Sequence, residues 1–188
     1  MRVQLSDWSY KSRVRRRYDL TAEMYNARYT EEQEAKYQAA LNNVKPTGLV
    51  LDVGCGTGLL FSHIVSGAEN VIGIDISKNV LLQAKERVKK QRNADLVQAD
   101  ADHLPFKNNL FNAVFAFTVL QNMPKPLKTL METRRIAAKG ACVVVTGLKK
   151  VFSTEALTKL LKDADFRVVS IKDEENLKCY VAYGLKET

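Results

Sequence analysis

The stretch LVLDVGCGTGLL, residues 49–60, places Asp52, Cys55 and three glycines directly behind or within a continuous apolar run. An apolar run without polar alternation is the pattern of a strand buried on both faces. A glycine-rich turn straight after such a strand is where an open α/β sheet brings its backbone close to a ligand. The segment therefore asks for a parallel sheet, covered on both sides, with a binding turn at its edge.

The rest of the chain alternates to match. VIGIDI (71–76), DLVQAD (95–100), FNAVFAFTV (111–119) and ACVVVTGL (141–148) read as further strands, and LLFSHIVS (59–66) as a short helix. Ser77 is placed to cap a helix in which Leu81, Ala84 and Val88 face inward, with Lys85, Arg87, Lys89 and Lys90 mostly outward. PLKTLMETRRIAAKG reads as a helix stopped by Gly140, and STEALTKLLKDAD as another with Leu157, Leu160, Leu161 and Ala164 as its buried stripe. FRVVSIK and KCYVAYG, joined by the acidic DEEN, read as an antiparallel hairpin. The expected fold is an α/β three-layer Rossmann-like sandwich: a mostly parallel seven-stranded sheet ending in an antiparallel hairpin. With 188 residues and 46% hydrophobic content, one domain spanning 1–188 suffices. Within it, residues 46–188 form the core and 1–45 an N-terminal lid and helix. That helix begins at Thr30 as cap, with Tyr37, Ala40, Leu41 and Val44 on one face.

Ligand chemistry follows from the residues just beyond each strand, where doubly wound sheets bind. These are Gly54, Gly56 and Gly58; Asp75; Asp100 and Ala101; and Thr118 to Asn122. The spacing is GxGxG rather than the GxGxxG of a dinucleotide site. Asp52 beside the turn opposes a diphosphate and suits an amino group or another positive centre. Asp75 can accept from two ribose hydroxyls and Asp100 from an exocyclic amine, so an adenosine with an amino-acid tail fits all three. The three cysteines (Cys55, Cys142, Cys179) and two histidines (His63, His103) lie far apart in sequence, which argues against a metal site.

On these residues the chain resembles the class I S-adenosylmethionine-dependent methyltransferases. LDVGCGTG looks like their first motif, VIGIDIS like their second, and ADADHLPFKNNLFNAVFAFTVLQNM like the region from the third to the fourth strand. The resemblance covers about Leu49 to Thr146 and implies S-adenosyl-L-methionine as cofactor. It implies that Gly54, Cys55, Gly56 and Gly58 surround the methionine tail, that Asp52 orients its amino group, and that Asp75 and Ile76 meet the ribose side. Asp100 and Ala101 would meet the adenine, with Asp102 a solvated neighbour. Thr118, Gln121 and Asn122 stand where the acceptor arrives. None is a good base; His103 is the remaining candidate for one. There is no NPPY or DPPY after the fourth strand, and Asn112 replaces a common aspartate. LQNMPKP looks more like the ubiquinone-methyltransferase-like group, and the entry segment YDLTAEMYNARYT resembles that of small-subunit ribosomal RNA guanine-N7 methyltransferases as well as that of this same group. In that group the entry segment lies over the cofactor, which makes Tyr18, Tyr25 and Tyr29 lid candidates.

The acceptor is read from charge. The net charge is +8 and the pI about 9.4. Arg13, Arg15, Arg16 and Arg17 cluster near the expected lid, and Lys125, Lys128, Arg134 and Arg135 add to them. Phosphate contacts of this kind give affinity without sequence choice, so the leading expectation is methylation of a structured RNA at a base nitrogen. The alternatives are a small-molecule acceptor, and a non-catalytic partner subunit that keeps the cofactor fold. The N-terminus is basic without an apolar core, and no run approaches the ~20 residues of a membrane span, so the expected location is cytoplasmic.

Overall fold

The computed structural model describes residues 6–187, without the side chains of 25–28. In chain order it has α1 (Asp7–Leu41), β1 (Leu49–Val53), α2 (Phe61–Ile64), β2 (Asn70–Asp75), α3 (Lys78–Val88), β3 (Ala94–Gln98) and β4 (Phe111–Ala116). A single 3-10 turn at Leu120–Asn122 then leads to α4 (Pro126–Ile136), β5 (Ala137–Leu148), α5 (Thr154–Asp163), β6 (Arg167–Lys172) and β7 (Cys179–Leu185). The sheet runs β3-β2-β1-β4-β5-β7-β6. Strands β1 to β5 pair in parallel, and β7 lies antiparallel between β5 and β6. This is the expected seven-stranded Rossmann-like sandwich.

Both sheet faces are buried, as continuous apolar strands require. Val143 and Val145 point into one core with Leu130, Ile136, Leu157 and Leu161 of α4 and α5. Val144 points into the other with Phe61 and Ile64 of α2, Leu81 of α3, and Tyr37 and Ala40 of α1. On that second face the ring of Phe61 closes onto the backbone of Gly73. A Cβ at Gly73 stands 2.7 Å from Phe61 Cζ and 2.9 Å from Cys55 Sγ. Gly73→Ala is therefore expected to cost about 1–3 kcal/mol of overpacking. A shift in the denaturant midpoint without a change in slope measures it, and an unchanged midpoint contradicts the packing described.

Two sequence expectations are corrected. First, the N-terminal segment is not a polar tail before a helix capped at Thr30. It is the first half of one 35-residue helix, capped at Ser6, whose Oγ accepts from Ser9 N at 3.2 Å. Second, α4 does not run to Gly140. It ends at Ile136, and Gly140 lies inside β5 at φ 77°. Asn112 has a structural role, since its Oδ1 accepts from Leu49 N at 2.9 Å and fixes the entry of β1.

The chain reverses its strand order between β1 and β4. A crevice therefore opens beyond their carboxyl ends. Register places Val53 beside Ile74 and Asp75 beside Gln98, so the turns after β1, β2 and β3 converge there with the end of β4.

Candidate functional site

Two cavities meet at this crevice. The first is lined by Gly54, Gly56, Asp75, Ile76, Asp100, Ala101, Thr118, Val119, Asn122 and Met123, with Lys11, Val14 and Tyr18 of α1 above them. Its free volume is about 90 Å³. The second, about 350 Å³, lies under the middle of α1 and is lined by Arg17, Met24, Tyr29, Glu32, Gln33, Lys36, Thr118, Gln121 and Asn122, among others. Tyr18, Thr118 and Asn122 belong to both. Of the residues expected at the site, His103 lines neither cavity: it is exposed, with Nε2 3.0 Å from Lys128 Nζ. Tyr29 stands at the second cavity, not the first. The side chain of Tyr25 lies outside the described residues.

The glycine turn owes its shape to left-handed backbone. Gly54 and Gly56 have φ of 68° and 55°. A Cβ at Gly54 would sit 2.6 Å from Val119 Cγ2, whereas one at Gly56 would face open space. Gly58, at φ 75°, packs instead against Ala84 of α3. Asp75 accepts from Gly56 N at 3.0 Å and Ser77 N at 2.8 Å. Burial pushes its pKa up to about 6, against the lowering effect of those amides. Asp52 is buried at the end of β1 and lines a pocket of about 20 Å³ with Gln33, Gly54, Gly56 and Thr57. Burial, with the charge of Asp75 added, raises its pKa well above the usual carboxylate range. Cys55 is buried against Gly73, and burial pushes its thiol well up as well, so it is a packing residue and not a nucleophile.

Beyond β3, Lys11 of α1 dominates. Its Nζ donates to both oxygens of Asp100 at 2.8 Å and pairs with Asp102. Burial works against the charge of Lys11, but the two carboxylates outweigh it and hold its pKa above the usual value. Asp102 is therefore not a solvated neighbour. It is buried, accepting from Thr129 Oγ1 of α4 at 2.5 Å.

Thr118 follows β4 with φ 62°, a conformation that is strained for a β-branched residue. Four hydrogen bonds hold it there. Its N–H donates to Thr146 Oγ1 at 2.8 Å, its carbonyl accepts from Asn122 Nδ2 at 2.8 Å, and its Oγ1 accepts from Lys36 Nζ at 3.2 Å and from Gln33 Nε2 at 3.4 Å. Asn122 also ties down α1, donating to Tyr18 OH at 3.1 Å and accepting from Arg17 at 3.0 Å. Farther along, Asp19 of α1 accepts from Ser77 Oγ and from Asn79 N.

Three of the eight charges expected to form a phosphate-binding surface pair with carboxylates of the same chain. Lys125 pairs with Asp7, Arg134 with Asp165 and Arg135 with Glu132. Arg135 also braces the loop before β4 through the carbonyls of Leu104 and Phe106. Arg15 stands over the Trp8 ring and Arg17 over Tyr18. Arg13 and Arg16 are exposed. Among the described residues no group of three or more potential metal ligands is gathered, and no helix is long and apolar enough to cross a membrane.

A glycine turn, an acid ending β2 and an acid after β3 meet at one switch point of a Rossmann-like fold of the class I methyltransferase type. Residues 51–145 match the model of a methyltransferase domain, and the chain belongs to that S-adenosylmethionine-dependent family. A relative named demethylmenaquinone methyltransferase, from Staphylococcus saprophyticus, is 39% identical over 105 residues, covering 54% of this chain and 45% of its own length. The chain thus spans about half the length of such curated relatives. Among solved structures, a SAM-dependent methyltransferase from Aquifex aeolicus superposes with TM-score 0.72 at 23% identity, covering 80% of this chain and 89% of that one. The [4+2]-cyclase SpnF reaches TM-score 0.84 at 17% identity, covering 95% and 97%. These likenesses show the fold. The cyclase shows that the fold by itself does not fix the reaction.

Proposed function

We propose that this chain transfers the methyl group of S-adenosylmethionine to a small-molecule acceptor held in the second cavity. The observation that carries the reading is that cavity: about 350 Å³, within the range of small-molecule sites, and sharing Tyr18, Thr118 and Asn122 with the first cavity. The names of the curated relatives favour a small acceptor over RNA, and so does the internal pairing of Lys125, Arg134 and Arg135.

The residues fit the cofactor chemically. The open side of Gly56 admits the methionine tail. Asp52, a buried carboxylate with no cation paired to it among the described residues, suits its ammonium. Asp75 and Ile76 take the ribose, and Asp100 and Ala101 the adenine, with Val119 and Met123 as apolar walls. The cofactor supplies an activated methyl on a neutral leaving group. What the chain supplies is alignment through Thr118 and exclusion of water by α1. The first cavity is far below the ~300 Å³ of ordinary ligand sites, so the N-terminal half of α1, carrying Lys11, Val14 and Tyr18, has to lift for the cofactor to enter. In this reading residues 7–24 are a hinged lid, and the rest of α1 belongs to the core.

The test is transfer of radiolabelled methyl from S-adenosylmethionine into cell extract. Label in ribonuclease-resistant, low-molecular-mass material is expected. Label that appears only in RNA would reverse the choice of acceptor.

The Asp75 assignment carries a pH dependence. Ribose hydroxyls donate to the ionised carboxylate, and an acid with a pKa of about 6 is mostly ionised at pH 7.5 but only about one-tenth ionised at pH 5. In the Asp52→Asn variant, where the neighbouring raised carboxyl no longer titrates, affinity for S-adenosylhomocysteine is thus expected to fall about tenfold between pH 7.5 and 5. Calorimetry at the two pH values checks this, and equal affinities would remove Asp75 from the ribose site.

A further inference from the structure

The second cavity holds a buried cation that the transfer mechanism uses only as a support for Thr118. Lys36 lies in the C-terminal half of α1 and is 1% exposed. Its ammonium reaches Glu32 Oε1 at 2.8 Å and Thr118 Oγ1 at 3.2 Å. An ammonium has three donors, so two protein acceptors leave one for a ligand. The single charge of Glu32 is also divided, because its Oε2 accepts from Lys178 at 2.9 Å. Arg17, which also lines the cavity and is exposed, is bound to the neutral amide of Asn122 and to no carboxylate among the described residues. The cavity is therefore short of negative charge, and a buried cation is stable only when it is matched. A separate observation comes from the opposite wall. The Oε1 of Gln121 is buried without a hydrogen-bond partner, which calls for a donor on the occupant.

On the reading that this cavity holds the acceptor, we infer that the acceptor is a small anion carrying one carboxylate or phenolate oxygen, which Lys36 binds beside Thr118, and a hydrogen-bond donor that Gln121 accepts. Lys36 then sets specificity by charge and places the acceptor at the seam between the two cavities.

The test uses the full chain saturated with S-adenosylhomocysteine, with two pairs of probes: benzoate against benzamide, and 4-nitrophenolate against 4-nitroanisole. Calorimetry is expected to show at least one anion bound at least tenfold more tightly than its neutral counterpart, and which pair shows it tells carboxylate from phenolate. Lys36→Met combined with Glu32→Gln removes both charges of the buried pair and leaves Lys178, which is exposed, to solvent; it is expected to abolish the preference while S-adenosylhomocysteine still binds. Lys36→Arg is expected to keep it. No anion preference in the wild type up to millimolar concentration, or a preference that survives in the double variant, overturns the inference. Failure to bind S-adenosylhomocysteine at all would instead sink the methyltransferase reading on which it rests.

Discussion

Replacing Lys11 with methionine is expected to undock the N-terminal half of α1. The ammonium is the shared partner of two carboxylates, and the side chain of Asp102 is only 1% exposed. Removing one partner of a buried ion pair leaves the other charge uncompensated and typically costs about 3–5 kcal/mol. The whole penalty does not have to appear in global unfolding. Once α1 lifts, water reaches Asp100 and Asp102, so the loss seen in thermal melting is capped by the free energy that docks this half of the helix. The other contacts of this half include Asp7 with Lys125, Tyr18 and Arg17 with Asn122, Asp19 with Ser77 and Asn79, and the buried Ala22. Hydrogen exchange is accordingly the sharper measurement. Amides of residues 11–22 should lose protection in Lys11→Met while those of β1 and β4 keep theirs. Adding Asp100→Asn and Asp102→Asn removes the stranded charges and should restore part of it. Unchanged protection in the single variant would show that the Lys11 ion pairs do not hold the helix down.

That helix is also where a reading of the sequence falls short, and the reason is physical. Periodicity finds a helix by its apolar stripe. The N-terminal half of α1 turns Lys11, Val14, Tyr18 and Asp19 toward the protein, and two of these are charged. Its docking is electrostatic, so the pattern reads as a polar tail, and Thr30 stands out as cap ahead of Ser6. Lys36 escapes for a related cause. Read by spacing alone it looks like a solvated lysine, and only the tertiary fold shows it buried, with α1 laid against Thr118 at the end of β4. The same holds for Asp102, whose partner Thr129 lies 27 residues away. Asp52, Gly54, Gly56, Asp75 and Asp100 are legible because strand ends in a doubly wound sheet share one crevice, so position along each strand is enough to gather them. Charge composition misleads for the opposite reason. A count of +8 says nothing of pairing, and Asp7, Glu132 and Asp165 engage three of the eight cations assigned to RNA: Lys125, Arg135 and Arg134.

Asp52→Asn is expected to move stability and cofactor affinity in opposite directions. In the empty protein Asp52 is a buried carboxylate facing Asp75, with its pKa raised well above the usual range. For an acid, a raised pKa means that the folded state binds the proton more tightly than the unfolded state does. The resulting penalty is absent below the unfolded pKa of about 4. It grows as the pH rises from there toward the folded pKa, and it is complete above it. Asparagine has the same shape and no charge to desolvate, so at neutral pH the variant should be more stable by about 0.5–2 kcal/mol. For a chain of this size each kcal/mol raises the melting midpoint by about 2–4 °C. The wild-type protein should also gain more stability than the variant when the pH is lowered from 8 to 5. The cofactor tells the other half. A carboxylate meeting the methionine ammonium makes a charge-assisted hydrogen bond worth about 1.5–3 kcal/mol, so affinity for S-adenosylhomocysteine should fall between about tenfold and a hundredfold. Sinefungin, which carries an additional amine in place of the sulfonium methyl, should lose affinity by the same factor, because Asp52 is assigned to the amino-acid end. A variant that is stabilised yet binds both ligands as tightly as the wild type would make Asp52 a turn residue with no part in holding the cofactor.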